Sequence, residues 1–160
     1  MHLGTNEVVV KIFYHHYLPF TIRLLKLILA SVPLYALLFF LAPTLPGNFL
    51  LIAHLLLVIG FTLAVAYMTI VYWLDRLVLT NERIVFIDWQ YLTKKTESEA
   101  SLKDIQDIRT HERGFLASFS VLDYGTIEIK TASDKSVIKF DEIPDPEGVR
   151  KAIYLVSNSF

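Results

Sequence analysis

Between Leu27 and Leu74 the chain carries no Asp, Glu, Lys or Arg, and that uncharged block restricts its fold more than any other feature. Pro43-Thr44-Leu45-Pro46-Gly47-Asn48 divides the block into two apolar runs, each close to the ~20 residues a helix needs to cross a bilayer. Hydrocarbon offers backbone groups no partner, so two such runs are satisfied by two helices joined by a short turn. From Asp75 onward charges are frequent and the apolar residues alternate as they do in strands. The sequence therefore predicts an N-terminal, interfacial segment at 1–19, a two-helix transmembrane hairpin at 20–74 and a mainly-β domain at 75–160.

Charge distribution supports an orientation. Lys11, Arg23, Lys26 and Arg76 flank the outer ends of the hairpin, whereas the turn between its helices is uncharged. The positive-inside rule then places both termini in the cytoplasm, as a two-pass protein of the cytoplasmic membrane. A cleaved signal peptide fits poorly, because no small-x-small site follows the first run and a second apolar run comes next. The first helix is expected to start near Phe20 to Leu24 and end near Ala42, with a kink at Pro33. The second should run from about Phe49 to Leu74, with Tyr67, Tyr72 and Trp73 gathered at its cytoplasmic end. His54 has no acidic partner in the block, which fits a neutral interfacial residue rather than a proton path.

After the hairpin twelve Lys/Arg face fifteen Asp/Glu, so the folded part lacks the basic excess of a nucleic-acid-binding domain. With no cysteine there is no disulfide, thiol nucleophile or thiolate metal site. Leu77 to Thr80 and Arg83 to Trp89 read as a pair of strands around a tight turn. Gln90 to Ala100 is polar and edge-like, Leu102 to His111 is anchored by Ile105 and Ile108, and Thr126 to Thr131 alternates strictly. Ser133-Asp134-Lys135 turns that strand into Ser136 to Phe140. Asp145-Pro146-Glu147 then offers an N-cap, a first-turn proline and a first-turn acid. Val149, Ala152, Ile153 and Val156 recur on one face of the helix that follows. Six or seven strands with a terminal amphipathic helix make a sandwich or open barrel capped by that helix.

The run Trp73-Leu74-Asp75-Arg76-Leu77-Val78-Leu79-Thr80-Asn81-Glu82-Arg83-Ile84, followed by Leu102-Lys103-Asp104-Ile105-Gln106-Asp107-Ile108, resembles bacterial membrane proteins with a PH-like domain. The likeness to this bacterial pleckstrin-homology family, of the YdbS/YdbT type, continues through Tyr124 to Ile129 and Ile143 to Val149. It spans nearly all of 73–156, and the two preceding helices match the family's layout. The resemblance implies a PH-like β-sandwich closed by a C-terminal helix, and no particular activity.

Headgroup-binding PH domains cluster Lys/Arg around the loop joining their first two strands. The turn Thr80-Asn81-Glu82-Arg83, taken as that loop, has one base and one acid, which argues against a phosphoinositide pocket. Lys94 and Lys95 read as solvated edge-strand charge. Arg23, Lys26 and Arg76 are the candidates for contact with anionic lipid at the membrane surface. The uncharged stretch Gly114 to Leu122 has two readings. Its Phe115, Leu116 and Phe119 either fill one end of the sandwich or, beside Arg109 and Arg113, form an exposed ridge for membrane or a partner chain.

Catalysis has little support. Glu7, His15 and His16 lack the spacing of a helical metal pair. Asp104, Asp107 and His111 would share a face only on a helix, and Gly114 and Gly125 stand alone, without a phosphate loop. The expectation is a non-catalytic module without metal or cofactor. It would scaffold a homo-oligomer or a complex with a related PH-domain membrane protein. The alternative is a lipid- or envelope-stress-sensing membrane module.

Overall fold

A computed structural model of the chain describes residues 3–112, 123–132 and 137–158. It separates into two compact units, Tyr17–Ile70 and Met1–His16 with Val71–Phe160. The first holds α1 (Tyr17–Leu41), a 3-10 turn (Ala42–Thr44) and most of α2 (Gly47–Leu74). Helix α1 begins earlier than the charge pattern suggests. Pro19 sits in its first turn, where a missing N–H costs nothing, and Thr21 Oγ1 donates to the Tyr17 carbonyl at 3.1 Å. Both helical segments are long and apolar enough to cross a membrane, with mean hydropathies of 2.3 and 2.6, and their most apolar stretches contain no buried residue.

The second unit contains two antiparallel sheets. β1 (Val9–Tyr14), β2 (Arg76–Thr80), β3 (Arg83–Tyr91) and β4 (Lys94–Ser101) lie in the order β1-β2-β3-β4. β5 (Ile105–Glu112), β6 (Tyr124–Thr131) and β7 (Val137–Pro144) lie in the order β5-β6-β7, and α3 (Pro146–Ser157) follows. This is the helix-capped, two-sheet architecture that the alternation predicted. Leu77 and Leu79 on β2, Ile84 on β3, Ile127 and Ile129 on β6, and Phe140 on β7 join Val149 and Ile153 of α3 in one core. Intervening residues on the first sheet, Val78, Val85 and Ile87, form a separate small cluster against Trp89. The period of 2 thus buries residues on both faces of β2 and β3.

The N-terminal end differs from the sequence reading. Val9–Tyr14 is not part of a separate 1–19 segment but the first strand of the four-stranded sheet, paired antiparallel with β2 from Val9↔Thr80 to Tyr14↔Arg76. The apolar, β-branched run Val8-Val9-Val10-Lys11-Ile12-Phe13 carries the propensity, and Phe13 enters the main core. The two long helices are therefore an insertion between the first and second strands of one sheet. Helix α3 starts as its cap signals indicated. Asp145, at a φ of 46°, accepts from the Gly148 N–H at 2.8 Å.

Gly125 marks a close approach that no side chain fits. A Cβ there would overlap the His111 carbonyl oxygen and lie 2.8 Å from Pro146 Cγ, so β5, β6 and α3 meet at this point. Gly125→Ala is expected to destabilise the β unit by about 2 kcal/mol, within the range for overpacking a core. Urea unfolding of the full chain in mild detergent, followed by tryptophan fluorescence, measures it.

Candidate functional site

Only two residues, His15 and His16, separate β1 from α1, and only Asp75 separates α2 from β2. Polar and aromatic side chains converge at these two crossings. His15 Nδ1 lies 2.7 Å from the Asp141 carbonyl oxygen. A carbonyl only accepts, so Nδ1 carries the proton and donates it. Nε2 then faces the Asp75 carboxylate at 3.5 Å, an attraction complete only when the ring is protonated on both nitrogens. The same ring stacks on Phe140 at 4.5 Å and lies 5.0 Å from Tyr72.

His16 is held by its backbone. Its N–H donates to the Glu142 carbonyl at 2.6 Å, its carbonyl accepts from Tyr72 Oη at 2.5 Å, and its ring stacks on Tyr124 at 5.6 Å. Glu142 has a φ of 58°, a left-handed conformation that costs a non-glycine residue ~1–3 kcal/mol and persists where the surroundings fix it. Asp75 Oδ1 also accepts from the Trp89 N–H at 2.6 Å, tying the second crossing to β3. Nearby on β3, burial and the Asp75 carboxylate push the Asp88 carboxyl above the ordinary aspartate range. The arrangement supplies no nucleophile. Among the described residues no group of three or more His, Asp or Glu is placed to hold a metal. The cluster links the strand that enters α1 to the residue that follows α2, with His15 and His16 bonded to β7 and Asp75 to β3.

A second clasp holds the N-terminal segment. The Glu7 side chain is 1% exposed and pairs with Arg83 at 2.8 Å, while Arg83 also reaches Glu99. Glu7 accepts from the Gly4 N–H at 2.9 Å. Asn81 accepts from the Val8 N–H at 2.8 Å and donates to the Asn6 carbonyl at 3.1 Å. The Arg83 guanidinium holds the Glu7 carboxyl down at about 2, and Glu7 in turn raises Arg83.

The candidates read from sequence lie elsewhere. Arg23 and Lys26 are exposed on α1, and Arg76 is exposed at the start of β2, paired with Tyr14 and Ile87. Phe115, Leu116 and Phe119 fall outside the described residues, as does the rest of Gly114 to Leu122. Asp107 and His111 lie on β5 rather than on a helix, and Asp107 pairs with Arg109 at 2.8 Å. The turn Thr80–Arg83 joins β2 to β3, because β1 is the first strand. The loop joining the first two strands is instead the whole helical insertion, so the charge of that turn says nothing about it. His15 and His16 belong to the 1–19 segment expected at the interface, and one sequence signal points elsewhere: a β-branched run leads directly into them.

A family described as the bacterial PH domain matches residues 61–157, from within α2 to the end of α3. The chain belongs to this bacterial PH-domain family. No curated protein matches it significantly. Among solved structures, a DUF1696-family protein with a pleckstrin-homology domain from Shewanella loihica PV-4 is similar at 21% identity, covering 52% of this chain and 70% of that one, with a TM-score of 0.41. A pleckstrin homology domain from Shewanella amazonensis SB2B is similar at 18% identity, covering 52% and 66%, with a TM-score of 0.41. The strand β1, which completes the first sheet of this PH-domain chain, lies before the family match.

Proposed function

We propose that the chain is a non-catalytic, membrane-anchored PH-like module that scaffolds an assembly at the cytoplasmic face of the membrane. One observation carries this reading. Two long apolar helices are inserted between adjacent strands of one sheet through connections of two residues and one residue. The β domain is thus joined to the helical unit at two points along the chain. Its exposed apolar helices, such as those presenting Phe39, Phe40 and Leu63, require lipid or partner helices around them. Lys11, Arg23, Lys26 and Arg76 at the outer ends favour cytoplasmic termini. Arg23, Lys26 and Arg76 also suit contact with anionic headgroups, at roughly 1 kcal/mol each near the surface.

Confinement to a bilayer raises the effective concentration of the domain toward its neighbours. The occupant this favours is a second copy or a related PH-domain membrane protein, with Phe115, Leu116 and Phe119 as contact candidates. The absence of cysteine from the chain makes topology simple to test. Asn48→Cys should react with an impermeant maleimide in intact cells, and Ser98→Cys only after permeabilisation. The reverse pattern would overturn the orientation. Native mass spectrometry of the full chain should show a discrete homo-oligomer or a co-purifying membrane protein. A monomer retaining one lipid class would replace the scaffold with a lipid-sensing module.

A further inference from the structure

The register of the first sheet singles out one end of it. Tyr14, the last residue of β1, pairs with Arg76, the first of β2, and Arg76 pairs with Ile87. Strand β3 does not stop there. It continues to Tyr91, and β4 returns from Lys94, with Asp88↔Thr96, Trp89↔Lys95 and Tyr91↔Lys94 paired beyond the ends of β1 and β2. Four residues at about 3.3 Å each carry this hairpin about 13 Å past the point where the chain leaves for α1 and returns from α2. The Asp75–Trp89 hydrogen bond fixes its base to the second crossing.

The residues on this overhang are unusual for a solvated turn. Tyr91 is 60% exposed and Leu92 43% exposed at its tip. Trp89 stands behind them with the Lys95 ammonium 6.0 Å from its ring centre. Lys94 and Lys95 follow directly, and Lys95 pairs with Glu97. Aromatic rings, an exposed leucine and flanking lysines suit the water–lipid interface, where rings sit at headgroup depth and ammonium groups reach back to water. The acids around the tip do not contradict this. Asp88 is partly buried beside Asp75, and its carboxyl is pushed upward, toward the neutral form.

We propose that the β3–β4 hairpin tip, through Trp89, Tyr91 and Leu92, is a second membrane contact that dips into the interfacial zone of the bilayer crossed by α1 and α2. This rests on the reading of α1 and α2 as membrane spans. It assigns the tip to lipid rather than to a protein partner because the overhang lies at the one sheet end from which both helix connections depart.

The chain has two tryptophans, Trp73 in the last turn of α2 and Trp89 on the hairpin. Each can be made the sole reporter by Trp89→Phe or Trp73→Phe. The full chain is reconstituted in vesicles of phosphatidylethanolamine and phosphatidylglycerol brominated high on the acyl chain. Both reporters should be quenched. Tyr91→Ser with Leu92→Ser, both exposed and compatible with the fold, should reduce Trp89 quenching several-fold and leave Trp73 quenching intact. Quenching of Trp73 without Trp89 would overturn the hairpin contact and leave the spans standing. Failure to quench either would overturn the spans and the hairpin contact with them. Undiminished Trp89 quenching in the serine variant would also overturn the role of Tyr91 and Leu92.

Discussion

Phe140→Ala is expected to lower the unfolding free energy of the β unit by about 4 kcal/mol, within the range for removing a phenylalanine from a packed core. Phe140 is fully buried. It meets Phe86 edge-on at 5.2 Å and lies under the His15 ring at 4.5 Å, so its loss empties space on both sides. Small domains hold only ~5–15 kcal/mol of stability, so the variant should sit close to unfolding. Phe140→Leu, which conserves apolar volume, should cost about 1.5 kcal/mol. Urea midpoints of the full chain in mild detergent give both values. The local consequence is separable from the global one. The His16 amide, bonded to the Glu142 carbonyl, should exchange with solvent faster in Phe140→Leu than its loss of stability alone accounts for. Equal costs for leucine and alanine would mean that the site depends on the shape of the ring rather than on its apolar volume.

The parts legible in the sequence are those whose cause is local. An uncharged block marks both long helices, strict alternation marks β6, and Asp145-Pro146-Glu147 marks the start of α3. The family resemblance also reads through contiguous phrases. β1 was not legible for the opposite reason. Its partner β2 lies beyond the whole helical insertion, and the register shift between Val9 and Lys11 interrupts its alternation. His15 and His16 were legible as residues but not as a site, since His15 meets its Asp141 acceptor 126 positions away. The β3–β4 tip is an intermediate case. Lys94 and Lys95 are plain in the sequence, but only the register shows that they overhang the sheet at the end bearing both helix connections.

Glu7→Gln is expected to cost about 3 kcal/mol at neutral pH, and the cost should vanish on acidification. The magnitude follows from the carboxyl being held at about 2 against an ordinary 4.5, with each unit worth about 1.4 kcal/mol. It agrees with the penalty for removing one partner of a buried ion pair, reduced here because Arg83 keeps Glu99 and is partly exposed. The sign is set by linkage. A carboxyl lowered on folding gives its full stabilisation above 4.5 and loses it progressively as the pH falls toward 2. Asp88 acts in the opposite sense. Its raised carboxyl takes up a proton more readily in the folded state, so its contribution grows on acidification down to its ordinary 3.8 and is constant below. The total stability of the native chain is therefore a poor readout, because the two groups oppose each other. The difference between the native chain and Glu7→Gln isolates Glu7. Urea midpoints at a series of pH values should show that difference shrinking from neutral pH to near zero at the acid end. A constant gap would mean that Glu7 acts through shape rather than charge. A closing gap would make the Glu7–Arg83 pair the electrostatic clasp that holds the segment leading into β1 against the β2–β3 turn.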